Sequence, residues 1–493
     1  MGVGGEDCAH LGVGIDLGTQ GAKALVLDAG AGRVLARGAA PLAVEAARPG
    51  AAEQDPDRWI EAVTHAVRGA LAGAAIDPAS IAAIGVSGQQ HGCVTLDAAD
   101  RPVRPAKLWC DTECADEARA FGAQIGRPVP AGFTAPKLVW MKAHEPANFA
   151  RVRRVLLPHD WVNLFLTGDA YTDCGDASGT GYFDAAARTY DRRAMDAIDP
   201  DLHAMVPRLV GADAVGGTLR TAAADALGLR AGIPVSAGSG DNMMSALGAG
   251  AVDHGTLVVS LGTSGTLFGA ADCAVVDPSG LIAPFCDATG RWLPLLCTMN
   301  CTVVTEEVRA CFGLPHGQLT DLATAEPIGA GGVTFLPYLQ GERAPDWPHA
   351  RGVVHGLEPG SMRPGALYRA ALEGATLALV HGASRLAALG LPARELRVVG
   401  GGSRNPLWRR ILADAFGVPL RFPAEPESAA LGAALQAAAV ASGTTVAAFV
   451  RAHRPPMSPD LVEPVDQGVR AYRELATRFD ALGERLFGAV TSR

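Results

Sequence analysis

Two short loops of the same composition, far apart in the chain, constrain its fold more than any other feature. An apolar run at residues 13–15 leads into Leu-Gly-Thr-Gln-Gly at 17–21, and a second run at 257–260 leads into Leu-Gly-Thr-Ser-Gly at 261–265. Each loop is followed by another apolar run, so each copy predicts two strands joined by a tight turn. The paired glycines let the backbone turn sharply and approach a ligand closely.

The same loops are suited to phosphate binding. A threonine hydroxyl and a row of backbone N–H groups can donate hydrogen bonds to phosphate oxygens. A single Gly-Thr loop more often marks only a turn between strands, and this alternative applies to each copy taken alone. Two copies, each after an apolar strand, predict a duplicated architecture that holds a nucleotide between two halves.

The length and composition of the chain limit the kinds of protein that it can be. A chain of 493 residues is too long for one ordinary core, and the strand pattern restarts near residues 249–255. We therefore expect two domains, residues 1–249 and 250–493. Apolar residues make up 48% and charged residues 19%, which is typical of a folded globular protein. The net charge of −9, without a Lys/Arg stripe, argues against a nucleic-acid partner.

The sequence does not predict membrane insertion or export. No apolar run approaches the roughly 20 residues that span a bilayer. Residues 1–10 carry acidic side chains where a signal peptide has basic and apolar regions, and we expect them to form a tail. The ten cysteines are scattered without the partners of a zinc site. The sequence thus predicts a cytoplasmic protein with reduced thiols.

Asp241 is the strongest single candidate for a catalytic carboxylate. It follows a buried strand at 233–237 and the residues Gly-Ser-Gly, and a small-residue helix is predicted at 243–249. Ligands bind at the strand ends of α/β folds, where a carboxylate can accept the proton of a substrate hydroxyl during phosphoryl transfer. The alternative is that Asp241 caps the following helix, and the segment alone favours this role because Asp is a preferred N-cap residue.

Three further segments contain candidate ligand-binding residues. Asp16, beside the first loop, could hold Mg²⁺ through water or bond its own turn. Gln90 and His91, in a glycine-flanked turn, could bind sugar hydroxyls, although a lone histidine is more often structural. Three glycines at 400–402, before a helix capped by Asn405, offer N–H groups to a nucleotide. These glycines lack the GxGxxG spacing and no GxxxxGK[ST] motif occurs, which argues against Rossmann and P-loop enzymes.

Taken together, these features predict an ATP-dependent phosphotransferase, and the sequence resembles the FGGY sugar kinases of the actin/hexokinase/Hsp70 superfamily. The resemblance extends from about residue 12 to 440. It is carried by segments 14–19, 53–56, 88–92, 132–138, 176–180, 240–242, 260–265, 335–338, 341–343 and 400–405. Segments 89–92 and 132–138 are most similar to those of the members that act on xylulose. The implied fold is α/β, with two actin-like, ribonuclease H-like lobes and a catalytic cleft between them.

The resemblance also implies a reaction and a set of site residues. The reaction is transfer of the ATP γ-phosphate to D-xylulose, which forms D-xylulose 5-phosphate. Asp241 is then the general base, and Asp16 is the catalytic residue beside Mg²⁺ and the phosphates. The residues implied to bind the ketose are Gln90, His91, Asp241 and Asn242. Those implied to bind ATP are Gly18, Thr19, Gln20, Gly262, Thr263, Gly401, Gly402 and Asn405.

Two positions depart from the family pattern, and other functions stay open. Gln90 stands where some of these kinases carry Met, and Glu113 stands where many carry Arg, which leaves the role of Asp111 open. The alternatives are a kinase for another ketopentose or polyol such as ribulose, a chaperone-like ATPase of the superfamily, and a catalytically inactive sugar sensor. The expected partners are a ketose and ATP, with no nucleic acid and no membrane, and a homodimer is the assembly considered.

Overall fold

The computed structural model describes residues 11–73 and 76–489, so the tail expected at residues 1–10 lies outside the described residues. The strands of the first half are β1 (Leu11–Gly18), β2 (Gly21–Asp28), β3 (Arg33–Pro41), β4 (Glu53–Gln54), β5 (Ile81–Gly88), β6 (Val94–Leu96), β7 (Ala106–Lys107), β8 (Arg154–Leu156), β9 (Tyr171–Asp173), β10 (Phe183–Asp184), β11 (Thr189–Tyr190), β12 (Arg208–Val210), β13 (Val215–Thr218), β14 (Pro234–Ser236) and β15 (Ser239–Gly240). The helices are α1 (Pro56–Gly73), α2 (Ala115–Ile125), α3 (Thr134–His144), α4 (Pro146–Phe149), α5 (Pro158–Thr167), α6 (Cys174–Ala177), α7 (Arg192–Ile198), α8 (Leu202–Met205), α9 (Thr221–Leu227) and α10 (Asp241–Gly248).

The second half continues with fewer strands and longer helices. Its strands are β16 (Thr256–Leu261), β17 (Gly265–Gly269), β18 (Leu295–Thr298), β19 (Thr334–Leu336), β20 (Val353–His355), β21 (Glu395–Val399), β22 (Leu420–Pro423) and β23 (Met457–Val462). Its helices are α11 (Thr302–Phe312), α12 (His316–Thr324), α13 (Pro364–Ala388), α14 (Pro406–Phe416), α15 (Ser428–Ala441), α16 (Val446–Ala452) and α17 (Asp466–Phe487). Short 3₁₀ turns lie at Pro78–Ser80, Ala330–Gly332 and Gly401–Arg404.

The chain divides into two compact units. The first contains the residues up to Val252 together with Phe285–Leu293 and Glu427–Pro456, and the second contains the remainder. A single division after residue 249, which the sequence predicts, does not account for the two late segments of the first unit. The physical reason is that helix α15 packs against strands β1 and β5 of the first unit's sheet and against helix α10.

The sheet of the first unit has the order β13-β14-β5-β1-β2-β3, with β15 also paired to β5. Strand β1 is antiparallel to β2 and parallel to β5. Side chains alternate along a strand, and the small residues of β1 face α15. A Cβ at Gly14 would lie 1.9 Å from the carbonyl oxygen of Ala430, and one at Gly85 would lie 2.1 Å from that of Ala433. These glycines let the helix lie directly on the sheet.

The sheet of the second unit has the order β18-β17-β16-β21-β22-β23. Its central strand repeats the arrangement seen in the first unit, because β16 is antiparallel to β17 and parallel to β21. Helix α13 is buried along most of its length and packs against α11, α12 and α14. The mixed α/β fold of two units agrees with the fold class predicted from the sequence.

The predicted elements are confirmed at both glycine-threonine loops. Each loop joins two antiparallel strands, and the strands meet in register at Gly18 and Gly21 in one case and at Leu261 and Gly265 in the other. Among the described residues no single helix has the length and apolar composition of a membrane span, although the bent pair α15 and α16 meets both criteria together.

Candidate active site

Asp241 lies at the point where strand β15 ends and helix α10 begins. Gly240 occupies the N-cap position and Asp241 is the first residue of the helix, so the alternative in which Asp241 is the N-cap is wrong. Its Oδ1 atom accepts hydrogen bonds from the backbone N–H of Asn242 at 2.8 Å and from Asn242 Nδ2 at 3.3 Å. The carboxylate therefore points toward the start of the helix and is only partly exposed.

The environment of Asp241 strongly favours its protonated form. Burial raises the pKa of the Asp241 carboxyl to about 8, and the negative charges of Asp16 and Asp176 contribute in the same direction. A carboxyl with this pKa binds a proton more tightly than an ordinary aspartate does. A proton acceptor of this kind is typical of catalytic sites.

Asp16 lies near the end of strand β1, directly opposite Ser87 of strand β5. Ser87 Oγ donates a hydrogen bond of 2.8 Å to Asp16 Oδ1. Burial raises the pKa of the Asp16 carboxyl to about 6, although the Ser87 hydrogen bond and the charge of Lys23 oppose the shift. Among the described residues no hydrogen bond reaches the other carboxylate oxygen of Asp16.

The donor chemistry of this region fits a hard divalent cation. Asp16 and Asp241 are carboxylates whose ionised forms are disfavoured by burial, and the charge of Asp16 raises the pKa of Asp241. Mg²⁺ prefers one or two carboxylates together with phosphate oxygens and water. A cation bound here would favour the ionised form of both groups.

Gln90, Asn242 and Asp241, three of the predicted ketose-binding residues, form one hydrogen-bonded group. Asn242 Nδ2 donates to Gln90 Oε1 at 2.8 Å and also to Asp241. Gln90 is buried at the turn that follows strand β5, and a Cβ at Gly240 would lie 2.6 Å from Gln90 Cγ. The glycine before the catalytic candidate thus makes room for the glutamine.

His91 follows Gln90 in a left-handed backbone conformation with a φ of +66°. Its ring contacts two phenylalanines, with centroid distances of 4.6 Å to Phe133 and 5.9 Å to Phe285, and the two phenylalanine rings are themselves 6.2 Å apart. A Cβ at Gly179 would lie 2.0 Å from His91 Nδ1, so only glycine leaves space for the imidazole. His91 is part of an aromatic cluster as well as a neighbour of Gln90.

A buried group of charged residues lies beside this site and was not predicted from the sequence. His159 Nδ1 is 2.6 Å from an oxygen of Asp176, and His159 Nε2 is 3.3 Å from an oxygen of Asp160. Burial opposes the charge of His159, but Asp160 and Asp176 outweigh it and raise its pKa to about 9. Asp173, whose Oδ2 accepts the Ser239 hydroxyl at 2.8 Å, joins this group to strand β15. The Asp-Ala-Ser-Gly-Thr segment at 176–180 was the one signal of it in the sequence.

In the first loop the threonine hydroxyl is hydrogen-bonded to other side chains of the protein. Thr19 Oγ1 donates to Gln89 Oε1 at 2.8 Å and accepts a hydrogen bond of 3.0 Å from Trp109 Nε1. Gln54 Nε2 donates to the Thr19 carbonyl at 2.8 Å, and Leu42 N donates to the Gln20 carbonyl at 2.9 Å. The implied nucleotide-binding role of Gly18, Thr19 and Gln20 stays a prediction. Because the Thr19 hydroxyl is already hydrogen-bonded, we expect the backbone N–H groups of these residues to be the main donors to a nucleotide.

Glu113, which departs from the family pattern, and Asp111, whose role that departure left open, belong to a structural ion-pair network. Both carboxylates contact the buried Lys107 Nζ, Asp111 at 3.0 Å and Glu113 at 2.5 Å. Arg48 Nε donates to Glu113 at 2.8 Å, and this hydrogen bond is the main reason that the pKa of Glu113 is lowered to about 2. The cations already hold these carboxylates, so the cluster does not need a metal ion.

The second unit contains the other predicted nucleotide-binding residues. Thr263 is exposed, and its hydroxyl makes no hydrogen bond within the part of the chain that the structure describes. Gly400 has a φ of +86°, and a Cβ there would lie 2.6 Å from the carbonyl oxygen of Leu261. The glycine run therefore lies against the end of strand β16, next to the second loop, whereas a Cβ at Gly401 would meet open space.

Asn405 has a structural task that the sequence also predicted. Its Oδ1 accepts the N–H of Trp408 at 3.1 Å, as an N-cap of helix α14, and its Nδ2 donates to Thr320 Oγ1 at 3.0 Å. Both ends of the amide are therefore used within the second unit. The implied ATP contact of Asn405 stays a prediction.

Comparison with known proteins places these residues in a family context. Residues 11–248 match the model of the FGGY family of carbohydrate kinases, N-terminal domain, and residues 257–441 match its C-terminal domain. A xylulose kinase of Haemophilus influenzae is 38% identical over 441 residues, covering 86% of this chain and 90% of that protein. A xylulose kinase of Streptomyces coelicolor is 41% identical over 458 residues, covering 89% and 90%. A crystal structure of a xyloylose kinase from Brucella ovis superposes with a TM-score of 0.91 at 36% identity, covering 97% of this chain and 99% of that one.

Proposed function

Because this chain belongs to the FGGY family of carbohydrate kinases, we propose that it transfers the γ-phosphate of ATP to D-xylulose, with Asp241 as the general base. The identity to xylulose kinases over most of the chain supports the substrate. The single observation that supports the base is the partly exposed Asp241 carboxylate, whose pKa is raised to about 8 beside Gln90 and Asn242.

In the proposed reaction the terminal hydroxyl of the ketose attacks the γ-phosphorus. A bond forms between the sugar oxygen and phosphorus, and the bond from phosphorus to the β,γ-bridging oxygen breaks, so ADP leaves with that electron pair. The hydroxyl proton passes to the Asp241 carboxylate. Because the transition state of phosphoryl transfer is loose, the base acts mainly by positioning the hydroxyl and by accepting its proton late.

Gln90, His91 and Asn242 are proposed to orient the ketose. An amide supplies both donors and an acceptor to sugar hydroxyls, and the hydrogen bond between Asn242 and Gln90 fixes both side chains relative to Asp241. Orientation of this kind supplies much of the rate enhancement in a transfer between two bound substrates. The implied roles of Gln90 and Asn242 rest on the family resemblance and on this hydrogen-bonded group. The implied role of His91 rests on the resemblance and on its position next to Gln90 in the chain.

FGGY carbohydrate kinases use ATP and Mg²⁺, and Asp16 is the residue proposed to hold the metal ion. Mg²⁺, when bound, neutralises negative charge on the phosphates. The proposed nucleotide contacts are the backbone N–H groups of the first loop, and Gly262, Thr263, Gly401 and Gly402 of the second unit. Preorganised donors of this type stabilise developing charge without reorganising.

The test of the proposed function is ADP release with ATP and Mg²⁺ across a panel of sugars. The panel contains D-xylulose, L-xylulose, D-ribulose, L-ribulose, D-fructose, glycerol and a blank without sugar. Selective turnover of D-xylulose supports the proposal. A higher rate on a ribulose or on glycerol replaces the substrate but keeps the kinase. ADP release independent of sugar supports a chaperone-like ATPase, and binding of sugar without turnover supports a sensor.

The test of the general base is the substitution Asp241→Asn, with Asp241→Ala as a second variant. We expect kcat to fall by at least about 10²-fold, the lower range for a positioned acid–base group, while ATP binding is retained. Steady-state kinetics and calorimetric ATP titration measure the two quantities. Asp57→Asn is the matched control, because Asp57 is an exposed aspartate in the first turn of helix α1. A wild-type kcat in Asp241→Asn overturns the assignment.

A further inference from the structure

Lys137 is a buried lysine that the proposed reaction does not use. Its side chain lies on helix α3 and is only 1% exposed. Its Nζ donates to three backbone carbonyl oxygens: that of His91 at 2.9 Å, that of Phe133 at 3.2 Å, and that of Gly132. No described carboxylate lies within ion-pair distance of it. An ammonium has three N–H donors, and here all three are directed at main-chain oxygens.

These carbonyls belong to two segments that border the proposed ketose site. One segment is the turn that contains His91, and the other is the entry to helix α3, which contains Phe133. The ring of Phe133 is the nearer of the two aromatic neighbours of His91. Thr134 Oγ1 also donates to the His91 carbonyl, at 3.2 Å. One ammonium group therefore joins the two segments whose side chains pack together beside Gln90.

The backbone of His91 requires such support. A φ of +66° is unfavourable for a residue with a side chain. Conformations of this kind persist only where the surrounding structure imposes them. The carbonyl of the same residue receives two hydrogen bonds from helix α3, one of them from a charged donor, and charged donors form the stronger hydrogen bonds.

From this geometry we infer that Lys137 is a positioning residue for ketose binding: its ammonium holds the His91 turn against Phe133 in the conformation that receives the sugar. This inference rests on the proposed function, because it names Lys137 as the residue that supports the proposed ketose site. Lys137 has no contact with reacting atoms. Its loss is therefore expected to change the KM for the ketose much more than kcat or the KM for ATP.

The charge of Lys137 makes this support sensitive to pH. Burial lowers the pKa of Lys137 to about 8. The groups that face it are Cys93, Cys110, Cys114 and Asp111, and Arg104 and Lys107 line the same small cavity. Burial raises the pKa of Cys93 and of Cys114 to about 11, so both thiols are uncharged near pH 8, and Asp111 is paired with Lys107. Above about pH 8 the ammonium loses a donor and its charge, and its hold on the carbonyls weakens.

The test compares the wild type with Lys137→Met, which has a similar length but no charge and no donor. We expect the KM for D-xylulose to rise at least about tenfold in Lys137→Met, with the KM for ATP within about twofold of the wild type. Lys142→Met is the matched control, because Lys142 is on the same helix but contacts Asp199 and the Ile198 carbonyl. Equal KM values for D-xylulose in Lys137→Met and the wild type overturn the inference.

The pH dependence is the readout that a merely structural lysine would not give. In the wild type we expect the KM for D-xylulose to rise above about pH 8, and in Lys137→Met we expect this rise to be missing. Titration of Asp241 or His159 would affect both proteins alike, so the difference between the two profiles isolates Lys137. Thr134→Val, which removes the second donor to the His91 carbonyl, is expected to raise the same KM less. If Lys137→Met does not fold, Thr134→Val decides, and an unchanged KM for D-xylulose in that variant overturns the inference.

Calorimetric binding of D-xylulose separates this inference from the proposed function. A wild type that binds D-xylulose but does not phosphorylate it overturns the function, and the affinities of wild type and Lys137→Met then decide the role of Lys137. A wild type that neither binds nor phosphorylates any sugar of the panel overturns both. A wild type that phosphorylates D-xylulose with the same KM as Lys137→Met overturns the inference alone.

Discussion

The two glycine-threonine loops have nearly the same sequence and the same place in their sheets, but their threonines have different surroundings. Each loop joins a strand to its antiparallel neighbour, and the first of these strands is also parallel to a third. Thr19 uses its hydroxyl twice within the protein, toward Gln89 and from Trp109. Thr263 is exposed and has no such hydrogen bond among the described residues. In the first unit the threonine hydroxyl of this motif is therefore hydrogen-bonded within the protein, whereas in the second unit the threonine hydroxyl is accessible.

The partner of Thr19 gives this difference a functional meaning. Gln89 is the residue before Gln90, and it also donates to Gln54 Oε1 at 3.1 Å. The first loop is thereby connected to the turn that carries the proposed ketose residues. We expect substitutions at Thr19 to act through the fold of the first unit, and substitutions at Thr263 to act on the nucleotide.

Thr19→Val should produce the largest loss of folding stability among the three substitutions that test this comparison. The variant leaves Gln89 Oε1 buried without its donor, and an unsatisfied buried polar group costs about 1–3 kcal/mol. We expect the midpoint of urea unfolding to fall accordingly, and Thr19→Ser to restore most of it. An unchanged midpoint combined with a raised KM for ATP would show that the two threonines are equivalent.

Thr263→Val should leave unfolding unchanged and weaken ATP binding. The loss of one hydrogen bond to a charged phosphate oxygen corresponds to about 1.5–3 kcal/mol in binding, or an increase of the KM for ATP by roughly tenfold or more. Steady-state kinetics at saturating D-xylulose measures this, with Thr263→Ser as the control that keeps the hydroxyl. A wild-type KM for ATP in Thr263→Val would remove the proposed contact.

Trp109→Phe should have the smallest effect. The Trp109 side chain is 43% exposed, so water can replace the indole as a donor to Thr19. We expect a loss of stability below about 1 kcal/mol, measured by the same urea unfolding. A loss of stability as large as that of Thr19→Val would show that the hydrogen bond from Trp109 to Thr19, and not the one from Thr19 to Gln89, stabilises the first loop.

Local sequence patterns predicted the elements of the fold well, because each rests on neighbouring residues. The apolar runs before the loops, Pro406 after the cap residue Asn405, and Asp241 after Gly-Ser-Gly all appear where the sequence placed them. The family resemblance added the grouping of Gln90, Asn242 and Asp241. In the structure these three side chains are joined by hydrogen bonds.

The remaining features depend on contacts that no local pattern records. The pairing of His159 with Asp176, and of Thr19 with Gln89, joins residues far apart in sequence. Lys137 appeared within a family segment, but its three carbonyl partners become evident only in three dimensions. The same holds for helix α15, whose apolar composition does not reveal which sheet it covers.

The position of helix α15 has a consequence for synthesis on the ribosome. The chain that forms the sheet of the first unit emerges early, but the helix that covers Gly14 and Gly85 begins only at Ser428. At translation rates of 5–20 residues per second, roughly 10 to 35 s pass between the emergence of Val252 and that of Glu427. During that interval one face of the nascent sheet lacks its cover. Completion of the first unit is thus a late event in translation, and the second unit's strands β16 to β22 are already synthesised before it occurs.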